Sequence, residues 1–138
     1  MKIFVKILPP FLLFTCMVVY SGSTIKAENV KWKYYATGGD YTKHYYDPQS
    51  IVFTSAHVGR VWEKVIVSET SAYLTKEIRA LREIDCFRKV YRTLEMHIEY
   101  RDGSEQEKSY PDPKWLDITP NSWLETLYEI VCSKNKSR

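Results

Sequence analysis

Three histidines, three cysteines and a scatter of acids are the side chains able to do chemistry in this 138-residue chain. His44, His57 and His97 fall on three separate segments and share no local ligand spacing. There is no C-x-x-C and no paired histidine, so the residues offer no pattern for zinc. Asp85, beside Cys86 and near Arg88, has the composition of an acid–base group. The commoner role for such a residue is a solvated or ion-paired strand position, worth about 0–1 kcal/mol. Gly38-Gly39 reads as a turn, with no following helix to cradle phosphate. A reaction centre needs a nucleophile, base or metal in mutual reach, and no such set stands out. The chain therefore reads as non-catalytic, with no metal and no cofactor expected.

The cysteines carry different chemistry, which depends on compartment. Lys2 and Lys6 form a positive start, Ile7 to Tyr20 is largely apolar with Pro9 and Pro10 inside it, and Ser21 to Thr24 are small and polar. This pattern predicts a signal peptide over residues 1–27, cleaved near Ala27–Glu28, and a mature domain over 28–138. The apolar run falls short of the ~20 residues of a membrane span. Leu13-Phe14-Thr15-Cys16 resembles a lipoprotein box, but Thr before the cysteine favours simple cleavage; membrane attachment follows only if Cys16 is lipidated. After cleavage Cys86 and Cys132 remain. In an exported chain the pair favours a disulfide over two free buried thiols. Such a loop would stabilise the fold by about 4 kcal/mol at most in the chain-entropy account.

Cleavage also removes Lys2, Lys6 and Lys26 and no acid, taking the formal charge from +3 to 0. A neutral domain has no net field to attract nucleic acid or an anionic membrane. What it has in excess is aromatic surface. Tyr34, Tyr35, Tyr41, Tyr45 and Tyr46 crowd one hairpin. Both faces of a hairpin cannot be core when one meets water, so some rings either face a partner or pair across strands.

The elements that position these residues follow from periodicity. Residues 30–37 alternate as a half-buried strand, Gly38-Gly39-Asp40 turns, and 41–46 return. Ile51 to Phe53 is extended, and Val61 to Val67 is a strand with Val61, Glu63, Val65 and Val67 on one face. For Tyr73 to Leu81 the spacing of Leu74, Ile78 and Leu81 predicts a short helix or an irregular loop. Glu83 to Tyr100 reads as two strand segments in one run, followed by an Asp102-Gly103 hairpin turn and a polar edge strand over 105–110. Leu124, Leu127, Tyr128 and Val131 mark one face of a terminal helix. Its start is either Thr119-Pro120 or a capping box of Ser122 with Glu125.

Read in order, Trp32 with Tyr34-Tyr35, Tyr45-Tyr46-Asp47-Pro48, Val61-Trp62-Glu63-Lys64, Glu83-Ile84-Asp85-Cys86, Tyr91-Arg92, Asp102-Gly103, Trp115, Ile118-Thr119-Pro120 and Val131-Cys132 resemble the surface-adhesin protein E family of exported bacterial domains. The resemblance spans nearly the whole mature chain and rests on the order of many weak motifs. It implies an α+β fold: an antiparallel sheet of about six strands with a C-terminal helix packed on one face. It also implies a disulfide from the strand at Cys86 to the helix end at Cys132. The family's name-giving member is an outer-membrane lipoprotein that binds host matrix and plasma proteins.

These readings converge on an exported, adhesin-like binding module of the bacterial cell envelope, located in the periplasm or at the cell surface. Its partner is expected to be an envelope or matrix protein, not nucleic acid, with Tyr35, Tyr41, Tyr45 and Tyr46 as the candidate binding surface. The alternative is a periplasmic structural or assembly component that acts by sheet-edge pairing or as a homodimer.

Overall fold

Every pair of neighbouring strands in the sheet is antiparallel, and no α-helix crosses over between strands. The computed structural model describes residues 29–39 and 41–136. The expected signal peptide, Cys16 and Asp40 of the first turn lie outside the described residues.

The elements are β1 (Lys33–Thr37), β2 (Lys43–Tyr46), β3 (Val52–Phe53), β4 (Val58–Ile66), β5 (Thr75–Asp85), β6 (Val90–Tyr100), β7 (Glu105–Ser109), β8 (Leu116–Asp117) and the helix α1 (Trp123–Asn135). The path through the sheet is β1-β2-β4-β5-β6-β7. β3 pairs with β4 beyond the end of β2, and β8 pairs with β6 beyond the end of β7. The eight strands thus fill six columns, two of them broken. A 3-10 turn at Pro48–Ser50 breaks one, with Asp47 capping the N–H of Gln49 at 2.9 Å. Pro111 and Pro113 precede the break in the other, where proline cannot donate to a ladder.

β5 departs over Thr75 to Leu81 from the sequence expectation of a helix or loop, while its end at Glu83 to Asp85 is strand as expected. It pairs with nine consecutive residues of β4, from Val58↔Asp85 to Ile66↔Glu77, and with β6 on its other side. The three apolar residues that suggested a helix do not share a face: Leu74 is 77% exposed in the preceding loop, whereas Ile78 and Leu81 are strand residues of opposite parity. Two long neighbouring ladders override the helical preference of Lys76 and Glu77, which is how tertiary context overrides propensity. The single run expected from Glu83 to Tyr100 also divides. Residues 86–89 form the β5–β6 turn, with Lys89 at φ 54°. Asp85 organises that turn, accepting from the N–H groups of Phe87 (2.9 Å) and Arg88 (3.0 Å) and from Arg88 Nε (2.7 Å). Cys86 therefore sits one residue past the strand end.

Of the two possible helix starts, the fold uses Ser122. Its hydroxyl accepts the Glu125 N–H, and the Glu125 carboxylate reaches back to the N–H of Asn121 at 2.7 Å. Leu124, Leu127, Val131 and Cys132 are the buried face of α1. They pack on Tyr46, Val61, Ile84 and Ile118 to make the core. The Cys86–Cys132 disulfide joins the β5–β6 turn to the far end of α1 across a Cα–Cα distance of 5.7 Å.

Gly59 sets how closely the helix sits. A Cβ there would lie 2.7 Å from Val131 Cγ1 and 3.2 Å from the Phe53 ring. Both neighbours are held in the core, so overpacking is the expected result. Gly59→Ala is expected to cost about 1–3 kcal/mol of unfolding free energy, read as a lower urea midpoint at unchanged slope. An unmoved midpoint would show that α1 is not seated at this distance.

Candidate functional site

The first hairpin divides its aromatic residues between the two faces of the sheet. β1 and β2 pair with a register shift that passes over Tyr35. Tyr35 points to the α1 side, where its hydroxyl donates to Glu63 Oε1 at 2.8 Å. Tyr46, 5% exposed, is part of the core beneath α1. Tyr45 turns to the opposite face and meets Tyr34 edge-on, ring centres 5.7 Å apart. Tyr41 is 77% exposed at the hairpin tip, with φ 62°. The four tyrosines named from the sequence are thus brought to one hairpin but not to one face.

On the α1 side lies a buried ionic cluster. Glu63 is fully buried on β4 among Val61, Val65 and Val67. Its Oε1 accepts from Tyr35 and from His44 Nδ1 (2.9 Å), and its Oε2 accepts from Arg82 Nε (2.9 Å). A carboxylate only accepts, so Nδ1 of His44 carries its proton. Nε2 of His44 lies 3.0 Å from Thr42 Oγ1, and the imidazole stacks on Trp123 at 4.4 Å. The Arg82 guanidinium also bonds Thr93 and lies 5.7 Å from the Trp123 ring and 5.8 Å from Tyr91. Burial pushes the Glu63 carboxyl upward. The His44 hydrogen bond, the Arg82 charge and the Tyr35 hydrogen bond outweigh it and hold the group below its usual range. Burial, then the charge and hydrogen bond of Glu63, push the Tyr35 phenol far above its ordinary value.

Periodicity placed Glu63 on an otherwise apolar strand face, which was the available signal: a charge there must find partners. Arg82 gave no such signal, because it fell between the segments that the residue pattern defined, Tyr73 to Leu81 and Glu83 to Tyr100. His97 stands on the opposite face, 3.5 Å from Glu107 and 3.8 Å from Glu105, and His57 lies near Phe87. The three histidines thus have separate surroundings. Among the described residues no group of three or more His, Cys, Asp or Glu is placed to hold a metal ion.

The face opposite α1 carries the exposed chemistry. Lys64 Nζ lies 4.8 Å from the Trp32 ring centre and 5.3 Å from that of Tyr45. Desolvation lowers the Lys64 ammonium's pKa from its ordinary value. Beside this cluster runs an open groove of about 420 Å³, with Trp32, Trp62 and Arg79 toward one side and Glu95, Glu107 and Ser109 toward the other. At the far end of β4 and β5 on the same face, buried Glu83 accepts from Arg60 (2.7 Å) and Arg92 (2.6 Å), and Trp115 covers Arg92 at 4.3 Å.

Fold and faces together define a disulfide-tethered antiparallel sheet that buries one face under a helix and presents aromatic rings on the other. The chain belongs to the surface-adhesin protein E family, whose sequence model matches residues 32–133. A structure of Haemophilus influenzae protein E is similar at 13% identity, covering 78% of this chain and 87% of that chain with a TM-score of 0.53. Protein E from non-typeable Haemophilus influenzae is similar at 15% identity, covering 75% and 78%, with a TM-score of 0.52. At these identities the likeness is one of fold. No curated protein matches the sequence. Among the described residues no helix is long and apolar enough to cross a membrane.

The buried cluster makes stability depend on charge. Glu63→Gln leaves Arg82 without its countercharge and is expected to cost about 3–5 kcal/mol. Because the folded Glu63 carboxyl titrates below its ordinary value of about 4.5, its contribution is complete above that pH. It is lost as pH falls through the folded value. The wild-type urea midpoint should therefore drop across this acid range, and Glu63→Gln should drop less steeply. Parallel acid profiles would remove Glu63 from the account.

Proposed function

We propose that this chain is an exported, non-catalytic module of the bacterial cell envelope that binds a protein partner through the aromatic face opposite α1. Family membership supports an adhesin-like role at the cell surface and a non-enzymatic one. The observation that carries the finer reading is the gathering of Trp32, Tyr34, Tyr45 and Lys64 beside the open groove. Tyr and Trp give large apolar contacts with a polar handle and are enriched at binding hot spots. Tyr41 stands exposed at the hairpin tip. Tyr35 and Tyr46 support it from below by fixing the hairpin on the core. The partner is an extracellular-matrix or envelope protein, since the neutral domain offers nucleic acid no net field.

Thr42, His44 and Glu63 stand in the order hydroxyl, imidazole, carboxylate, which is the connectivity of a nucleophile, base and orienting acid. We read it as structural, because Thr42 and His44 are both buried and Glu63 is shared with Tyr35 and Arg82. Hydrolysis of an activated ester that disappears in Thr42→Ala would overturn the non-catalytic reading.

Capture on immobilised extracellular-matrix glycoproteins tests the surface. Trp32→Ala and Tyr45→Ala are each expected to weaken binding at least about tenfold, as hot-spot truncations do. Phe87→Ala, 80% exposed at the opposite turn, should leave it unchanged. Equal binding by all three variants, or no capture by the wild type, would defeat the proposal. Export rests on residues 1–27. Mass spectrometry of the mature protein should find a free N-terminus at Glu28; a lipid-bearing Cys16 would instead place the domain on a membrane.

A further inference from the structure

A second cavity, of about 380 Å³, opens on the α1 side of the sheet beyond the N-terminal end of the helix. It is separate from the aromatic face and independent of that reading. At a liquid volume of ~30 Å³ per water it holds about a dozen waters, the scale of a small ligand. Val65, Val67, Ile78 and Met96 give it apolar walls, and Trp123 closes the helix end. Arg82 lines it, its charge already answered by Glu63, and none of the described lining residues is acidic. This separates it from the groove on the other face, which has Asp47, Glu95 and Glu107 in its lining.

The Arg82 guanidinium is held before any ligand arrives. Nε is fixed by Glu63 and Nη1 by Thr93, with the Trp123 and Tyr91 rings 5.7 and 5.8 Å away. Those two bonds use two of the five N–H donors of a guanidinium. A guanidinium held in place with N–H donors to spare, beside apolar walls, loses little side-chain freedom on binding, which favours a ligand with one anionic, hydrogen-bond-accepting end. We propose that this cavity binds a small amphipathic carboxylate, its anionic end on Arg82 and its apolar body along Val65, Val67, Ile78 and Met96.

The probe is 4-phenylbutyrate, which has a dozen or so non-hydrogen atoms and one carboxylate, set against its uncharged amide. Titration into the wild-type domain should give saturable NMR shifts of the Trp123 indole and Met96 methyl signals, with the amide at least about tenfold weaker. Ile78→Trp, which fills the cavity, should abolish the shifts. Thr75→Trp, a cavity-lining substitution on β5 outside the ionic cluster, serves if Ile78→Trp fails to fold. Absence of saturable shifts, equal binding of acid and amide, or wild-type binding by a folded cavity-filled variant would each overturn the proposal.

Discussion

Glu63 is a charge placed in the middle of an apolar strand face, and the hairpin, the central strands and the helix are arranged around that constraint. A buried carboxylate is tolerated only when its lone pairs are used and its charge is answered. Tyr35 comes from β1, His44 from β2 and Arg82 from β5, so one side chain on β4 gathers four strands. Trp123 at the start of α1 then lies over His44 and Arg82, which ties the helix to the same point. The disulfide fastens the other end of the helix. α1 is thus held by polar stacking at its first turn, apolar packing along its length and a covalent bond near its end.

The sheet repeats this solution on its other side. Glu83, buried on the opposite face, is answered by Arg60 from β4 and Arg92 from β6. Two buried carboxylates on opposite faces therefore tie the strands together, Glu63 joining β4 to β1, β2 and β5, and Glu83 joining β5 to β4 and β6. That leaves the aromatic residues of the opposite face free of the core's demands. Trp32, Tyr45 and Lys64 make their contacts with one another, and truncating one of them removes surface without opening a cavity in the core.

What was legible in the sequence follows from how local each signal is. The period of two in β4 placed Val61, Glu63, Val65 and Val67 on one face correctly, because that alternation needs no partner to be read. Ser122 with Glu125 was one of the two helix starts the residues offered, since a cap is a contact between near neighbours, and only the fold selects it over Thr119-Pro120. The first part of β5, up to Leu81, was not legible: its charged residues match helix propensity, and only the two flanking ladders make it a strand. With that part misread and Arg82 left between two segments, the cluster around Glu63 could not be assembled. The split of the hairpin tyrosines was hidden for a related reason. A register shift at Tyr35 alters which neighbours share a face, and nothing in the residue pattern announces it.

The two margins of the sheet are blunted in different ways. β7 is exposed at every residue and carries Glu105, Glu107 and Lys108, while β1 begins with Lys33 and is kinked by its register shift. Charge and irregularity on an outer strand discourage another backbone from adding to the ladder. Many copies crowded on one surface would therefore stay as individual units rather than zip into continuous ribbons, and contacts with neighbours would be left to side chains.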